Sequence, residues 1–285
     1  MQPHWLIVGC GDTGSRVARN VLDSGGQVLA LVRSSASRDQ LRQQSIPAHA
    51  IDLDEQGPPA GRFTHVLYAA PPPREGDDDP RLARCLTAVT AVDRFIYIST
   101  TGVYGDCNGE WVNEERRPAP QTGRAGRRVA AETRVQGSGL PWNILRAPGI
   151  YGPGRIPIER LRDGAPVLSD AQSPWTNRIH VADLAQAVLA VAARAPADRV
   201  YNVSDGQPTP MAAQYRELAA LLGEAPPPEI SWAEAQERWS EMRLSFLRDS
   251  RRVSSDRLRQ DTGWSPEFST LRDGLKDCLR QAAVR

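Results

Sequence analysis

The sequence predicts an α/β protein: a doubly wound parallel sheet that carries a small C-terminal α+β lobe. Three observations lead there. Short apolar runs alternate with amphipathic segments through the first half of the chain, the pattern of parallel strands covered by helices on both faces. A Gly-x-Gly-x-x-Gly string, Gly9 to Gly14, follows the first apolar run and opens the first helical segment. From about residue 151 the texture changes to short loops rich in glycine and proline.

Each element has its own signal. Trp5-Leu6-Ile7-Val8 is continuously apolar, as a strand buried on both faces would be. After the glycine string, Val17, Val21 and Leu22 recur at helical spacing until Gly25-Gly26 stops the helix. Val28 to Val32 reads as the second strand, ending at Arg33, and Ser37 to Gln44 as a polar helix. Ala48 to Leu53 and His65 to Ala70 read as the third and fourth strands, the latter breaking at Pro71-Pro72-Pro73. A helix over Pro80 to Val92 precedes a fifth strand, Arg94 to Ser99. A further unit reads Arg127 to Gln136 as helix and Trp142 to Arg146 as strand. Residues 1–150 then form the core and 151–285 the smaller lobe. Within the lobe, residues 178–204 return to the core through a helix, Val181 to Ala193, and a strand, Arg199 to Val203.

Composition narrows the function. At 285 residues the chain can bury one large core, or one domain with a smaller lobe. A formal net charge of +1 gives no electrostatic drive toward nucleic acid or a membrane surface. No apolar run approaches a membrane span, and no signal peptide is visible. The cysteines (Cys10, Cys85, Cys107, Cys278) lack a Cys-x-x-Cys pair and read as reduced thiols. The histidines have no metal-ligand spacing. A soluble, cytoplasmic protein with a small-molecule partner is the default expectation.

The glycine string carries the first specific chemistry. Gly9 permits a tight turn, Gly11 lets the backbone approach a pyrophosphate, and Gly14 allows the helix to pack closely on the strand. The helix N-terminus, with Asp12 and Thr13, offers free amides and a positive dipole end to phosphates. The alternative is a structural strand-to-helix turn, but the flanking strands make this the setting of a Rossmann dinucleotide site. Such sites, when specific for NAD, place an acid after the second strand. Here Arg33-Ser34 stands there, which favours a 2′-phosphate and hence NADP(H), with NAD(H) the alternative. Arg33 has a second reading as a solvated loop charge. Asp52, after the third strand, is placed to accept from the adenine amino group or to serve as a turn residue. Ala69 and Ala70, ending the fourth strand, are expected against the cofactor.

Several ordered strings resemble the extended short-chain dehydrogenases/reductases, the NAD-dependent epimerase/dehydratase family. They are Ile98-Ser99-Thr100-Thr101-Gly102-Val103-Tyr104-Gly105, Leu145 to Gly154, Arg178-Ile179-His180-Val181-Ala182-Asp183, Tyr201 to Gly206, and Gly263-Trp264-Ser265-Pro266. The resemblance covers nearly the whole chain. It implies a Rossmann core, a C-terminal substrate lobe and a cleft between them, and homodimers formed through core helices. It puts the catalytic hydroxyl on Thr100, whose plainer reading is a strand-end cap. It also puts Arg146, Tyr151, Arg155 and Arg178 in segments that face the substrate. Clustered guanidinium groups suit a phosphate or carboxylate, with surface ion pairs as the competing explanation.

The departure from the family is informative. Its Tyr-x-x-x-Lys pair precedes an Ala-Ala-Glu string on one helix, and anchoring on Ala131-Glu132 puts Arg124 and Arg128 at those positions. Lys276 is the sole lysine of the chain. Arg128 can act as the fixed cation, but Arg124 cannot cycle a proton. Tyr104 and Tyr151 are the candidate replacements for the phenol. Two classes follow: an NADP-dependent, epimerase-like oxidoreductase with a rearranged proton donor, or a nucleotide-binding sensor without turnover.

Overall fold

The computed structural model describes residues 2–59, 61–245 and 247–283. Its core is built from β1 (His4–Val8), α1 (Asp12–Asp23), β2 (Gln27–Val32), α2 (Ser35–Gln43), β3 (Ala48–Ala50) and β4 (His65–Tyr68). It continues with α3 (Pro80–Ala88), β5 (Arg94–Thr100), α4 (Gly123–Gln136), β6 (Trp142–Ala147), α5 (Val181–Arg194) and β7 (Arg199–Asn202). The seven strands form one parallel sheet in the order β7-β6-β5-β4-β1-β2-β3. The winding direction reverses between β1 and β4. In open sheets of this kind, ligands bind outside the carboxyl ends of the strands at that switch point.

Strand periodicity sorts the core. Trp5 and Ile7 of β1, with Ile96 and Ile98 of β5, pack under α1 and α5. Leu6 and Val8, with Phe95 and Tyr97, pack on the opposite face against α3 and α4. Each such side chain contributes about 1.5–3 kcal/mol of burial, so a one-residue slip in register is strongly disfavoured.

The largest differences from the sequence reading fall at three boundaries. The third helix stops at Ala88 rather than Val92, because Val89 is already extended (φ −99°, ψ 101°) and β-branched residues follow it. The fourth begins at Gly123 rather than Arg127, with the Thr122 side chain accepting from the Ala125 amide at 3.3 Å. Gly123 and Gly126 mask that start in sequence. The third strand ends at Ala50, since Asp52 turns the chain by accepting from the Asp54 amide at 2.9 Å.

The lobe is tied to the core by short parallel pairings. Residues Gly149–Tyr151 pair with Arg178–His180, and Trp111–Val112 with Arg252–Val253. The second pairing carries the loop around Asp249 and Arg251 back to the core. A helix at Leu271–Ala283 packs on another at Ala213–Leu222, burying Leu218, Leu271 and Leu275.

Candidate functional site

The glycine loop is built for close backbone approach. Gly9 has φ +77°, and a Cβ there would lie 2.5 Å from the Ala70 amide nitrogen. Gly14 leaves room for Ile7, whose Cγ2 would be 3.0 Å from an added Cβ. Around Gly11 there is no protein atom within 4 Å of that position, so the loop presents an open cradle. The first helical hydrogen bond runs from the Ser15 amide to the Gly11 carbonyl at 2.8 Å, which leaves the amides of Asp12, Thr13 and Gly14 directed out of the helix end. That arrangement fits a pyrophosphate.

Three cavities meet at Pro148. The first, about 320 Å³, is walled by the glycine loop with Asp12 and Thr13, by Ala69, and by Thr100, Arg128 and Arg155. The second, about 480 Å³, shares Thr100 and Arg128 and adds Arg74, Arg124, Arg127, Asp249 and Arg251. The third, about 420 Å³, continues along Tyr151, Arg155, Arg178, Asp249 and Arg251. Thr100 ends β5 and caps the short helical turn Thr101–Tyr104, accepting from the Gly102 amide at 3.1 Å. Its own hydrogen stays available to the cavity. Arg128 is clamped beneath, donating from Nη1 to the Tyr97 hydroxyl at 3.0 Å and the Ile98 carbonyl at 2.8 Å. Burial pushes the Tyr97 phenol up to about 12, so it stays neutral.

Other expected residues lie elsewhere. Ala70 is buried behind Gly9, away from the cleft wall. Arg33 lines none of the three cavities; its side chain is 74% exposed, 3.5 Å from Asp52 and 3.8 Å from Asp54. Asp52 divides its oxygens between Arg33 and the Asp54 amide, as a turn residue does. Ser34 caps α2 by accepting from the Ser37 amide at 3.1 Å.

Arg146 and Tyr104 do not fit the sequence expectation. Arg146 is 4% exposed, and two of its nitrogens grip Glu132, with Nη2 at 2.6 Å from Oε2. Its Nη1 donates to the Tyr104 hydroxyl at 3.0 Å. That hydroxyl in turn donates to Asn202 Oδ1 at 2.8 Å, and Ser99 donates to Glu132 at 2.5 Å. This network pins α4, β5, β6 and β7 together beneath the cleft. Tyr104 lines none of the three cavities, and burial raises its phenol above the ordinary range despite the Arg146 charge. Tyr151 touches the third cavity, but its hydroxyl is buried without a hydrogen-bond partner, against Gly274. Burial raises that phenol as well.

Arg178 is buried, donating to Thr209, Gln214 and the Met211 carbonyl while presenting an edge to the third cavity. Nearby Asp205 is 3% exposed, and burial raises its carboxyl to about 7 against the Gln207 amide and the Arg178 charge. Because the folded value exceeds the ordinary aspartate value of about 3.9, the folded state binds the extra proton between the two. Stability should therefore fall as pH rises through that window. Urea unfolding from about pH 4 to 8 checks this: Asp205→Asn should flatten the decline, and an unchanged slope would reassign it.

Asp249, Arg251 and Arg74 are cavity residues that the sequence reading missed. Asp249 accepts from Arg251 Nη1 at 3.0 Å, and the same nitrogen donates to the Gly105 carbonyl at 2.7 Å. Their one sequence signal is an acid two residues before an arginine, too common to single out. Among the described residues lining the second cavity, Asp249 is the sole carboxylate, and tyrosine, histidine and lysine are absent. Lys276 sits on the C-terminal helix beside Asp273.

Fold and cleft together define a dinucleotide-binding protein of Rossmann type. The chain belongs to the NAD(P)H-binding family, whose model matches residues 9–195. A dTDP-glucose 4,6-dehydratase of Streptomyces griseus is 30% identical over 200 residues, spanning 65% of this chain and 57% of that protein. A conserved protein of unknown function from Silicibacter pomeroyi DSS superposes with a TM-score of 0.90 at 29% identity, over 99% of both chains. The UDP-glucose 4-epimerase of Thermotoga maritima, solved with UDP-glucose, has the same fold: TM-score 0.76, 18% identity, 98% of this chain and 99% of that one. Among the described residues no helix is long and apolar enough to cross a membrane, and no cluster of potential ligands could hold a metal ion.

Proposed function

We propose that the protein is an NADP(H)-dependent oxidoreductase of the epimerase/dehydratase type, acting on an anionic small molecule. The observation that carries this reading is the shared wall. Thr100, Arg128 and Pro148 border both the glycine-loop cavity and the arginine-lined cavity beside it, so a dinucleotide and a substrate would meet there. When bound, the nicotinamide supplies the hydride donor or acceptor.

The chain's own residues do the rest. Glycine-loop amides hold the pyrophosphate, and Arg128 holds the ribose as a fixed cation. The Thr100 hydroxyl donates to the reacting substrate oxygen. Arg124, Arg127 and Arg251 neutralise the substrate's acidic group. Asp249 holds the proton that leaves a substrate hydroxyl, in place of a phenol. Tyr104 and Tyr151 are too deeply engaged or buried for that task.

Arg33 supports NADP(H). Its pairs with Asp52 and Asp54 are exposed and worth about 0–1 kcal/mol, so a 2′-phosphate can displace them. Isothermal titration with the four nucleotides tests the reading. NADPH should bind tightest, and Arg33→Asp should reverse the preference, since a carboxylate repels the 2′-phosphate and accepts from a 2′-hydroxyl. Equal or tighter NADH binding removes the preference. The all-arginine helix position favours a second reading, a sensor without turnover. Tight NADPH binding with no oxidation across a panel of oxo-acids and sugar phosphates would select it.

A further inference from the structure

A separate cavity of about 280 Å³ lies within the C-terminal lobe. Leu168, Met211, Tyr215 and Trp239 give it apolar walls, and Arg160 and Arg243 bring two cations to it. Arg243 stacks on the Trp239 ring, 3.4 Å from its centroid, and donates to the Pro166 carbonyl at 3.0 Å. Arg160 lies 5.8 Å from the Tyr215 centroid. Neighbouring arginines on the same elements are saturated: Arg162 is paired with Glu224, and Arg216 with both Asp170 and Glu229. Among the described residues, no carboxylate forms such a pair with Arg160 or Arg243. Burial, with the charge of Arg160, pushes Arg243 down to about 10. Two like charges at an apolar pocket, neither paired with a carboxylate among the described residues, suit an anionic ligand.

Met211 and Tyr215 also border the cavity that holds Arg178, so the two pockets share a wall. We propose that it binds the distal part of the substrate, a carboxylate joined to an aromatic ring or short aliphatic chain. The size fits, since a cavity of about 150 Å³ already admits benzene. A guanidinium fork matches a carboxylate's two oxygens. A nucleobase would find few groups to read its edge, since the lining offers it only two neutral hydroxyls, those of Tyr215 and of Ser173, and the Ser173 oxygen already accepts from the Ala212 amide at 3.2 Å. The inference rests on the proposed function for the reacting end of the ligand, but occupancy of this pocket needs no dinucleotide.

Isothermal titration of the full chain without dinucleotide, using 3-phenylpropanoate, 3-phenylpropan-1-ol and uridine 5′-monophosphate, tests it. The acid should bind, and the alcohol should bind at least tenfold more weakly. Arg160→Leu and Arg243→Leu should each weaken the acid at least tenfold while leaving NADPH affinity unchanged. Arg160 is exposed, so its variant keeps the fold. Equal binding of alcohol and acid, tighter binding of the nucleotide, or no heat at millimolar acid would each overturn the inference. Loss of NADPH binding with phenylpropanoate binding intact would instead remove the proposed function and leave the pocket standing.

Discussion

Gly11→Val should leave the fold intact and weaken NADPH binding at least a hundredfold. A side chain at residue 11 meets no protein atom within 4 Å, and its φ of −85° is open to any residue. The cost to stability is the poorer helix cap, about 1 kcal/mol. The new methyl groups fill the space through which a pyrophosphate reaches the amides of Asp12, Thr13 and Gly14. Displaced phosphate loses several charge-assisted hydrogen bonds, each worth about 1.5–3 kcal/mol, which is why the expected effect is large. Gly9→Ala makes the contrasting control. There the φ of +77° and the approach to the Ala70 backbone force either strain or displacement of the end of β4, and stability should fall together with binding. Titration calorimetry and thermal unfolding of both variants separate the two effects. Unchanged NADPH affinity in Gly11→Val would move the dinucleotide out of this cleft.

The difference between those glycines explains what could be read from the sequence. The strand-loop-helix around Gly9 to Gly14 is local, and every part of its physics lies within a few residues. The same holds for the alternating strands, where period and burial coincide. Arg146 misled because its environment is set from afar: Glu132, fourteen positions earlier on α4, takes its charge, and Tyr104 takes its remaining nitrogen. A string that matches the family around Tyr104 says nothing about whether the phenol faces the cleft or Asn202. Asp249 and Arg251 reach the cleft through the pairing of Arg252–Val253 with Trp111–Val112, across about half the chain. No periodicity in either segment announces it, and only the assembled fold brings Asp249 to the second cavity, which Thr100 also lines.

Asp249→Asn should reduce turnover by about 10²–10⁴-fold, the usual worth of a positioned acid–base group, with NADPH affinity unchanged. The argument starts from what the cavity offers. Oxidation of a substrate alcohol releases a proton as the hydride leaves carbon, and some group must take it. The second cavity offers arginines, threonine hydroxyls and one carboxylate. Guanidinium groups stay protonated throughout the working pH range, even where burial lowers the value, as it does for Arg124. A threonine hydroxyl can relay a proton but is too weak a base to keep one. Asp249 can accept it, while Arg251 at 3.0 Å holds the carboxylate in place. Asparagine keeps the size and the hydrogen bond to Arg251 but cannot take a proton. Arg124→Gln should therefore leave the pH dependence of turnover unshifted, with a change in KM where the guanidinium holds the substrate's acidic group. Steady-state rates across pH for both variants decide the assignment. Full activity in Asp249→Asn would hand the proton to solvent, and a titrating step lost in Arg124→Gln would return the acid–base role to the helix of Arg128.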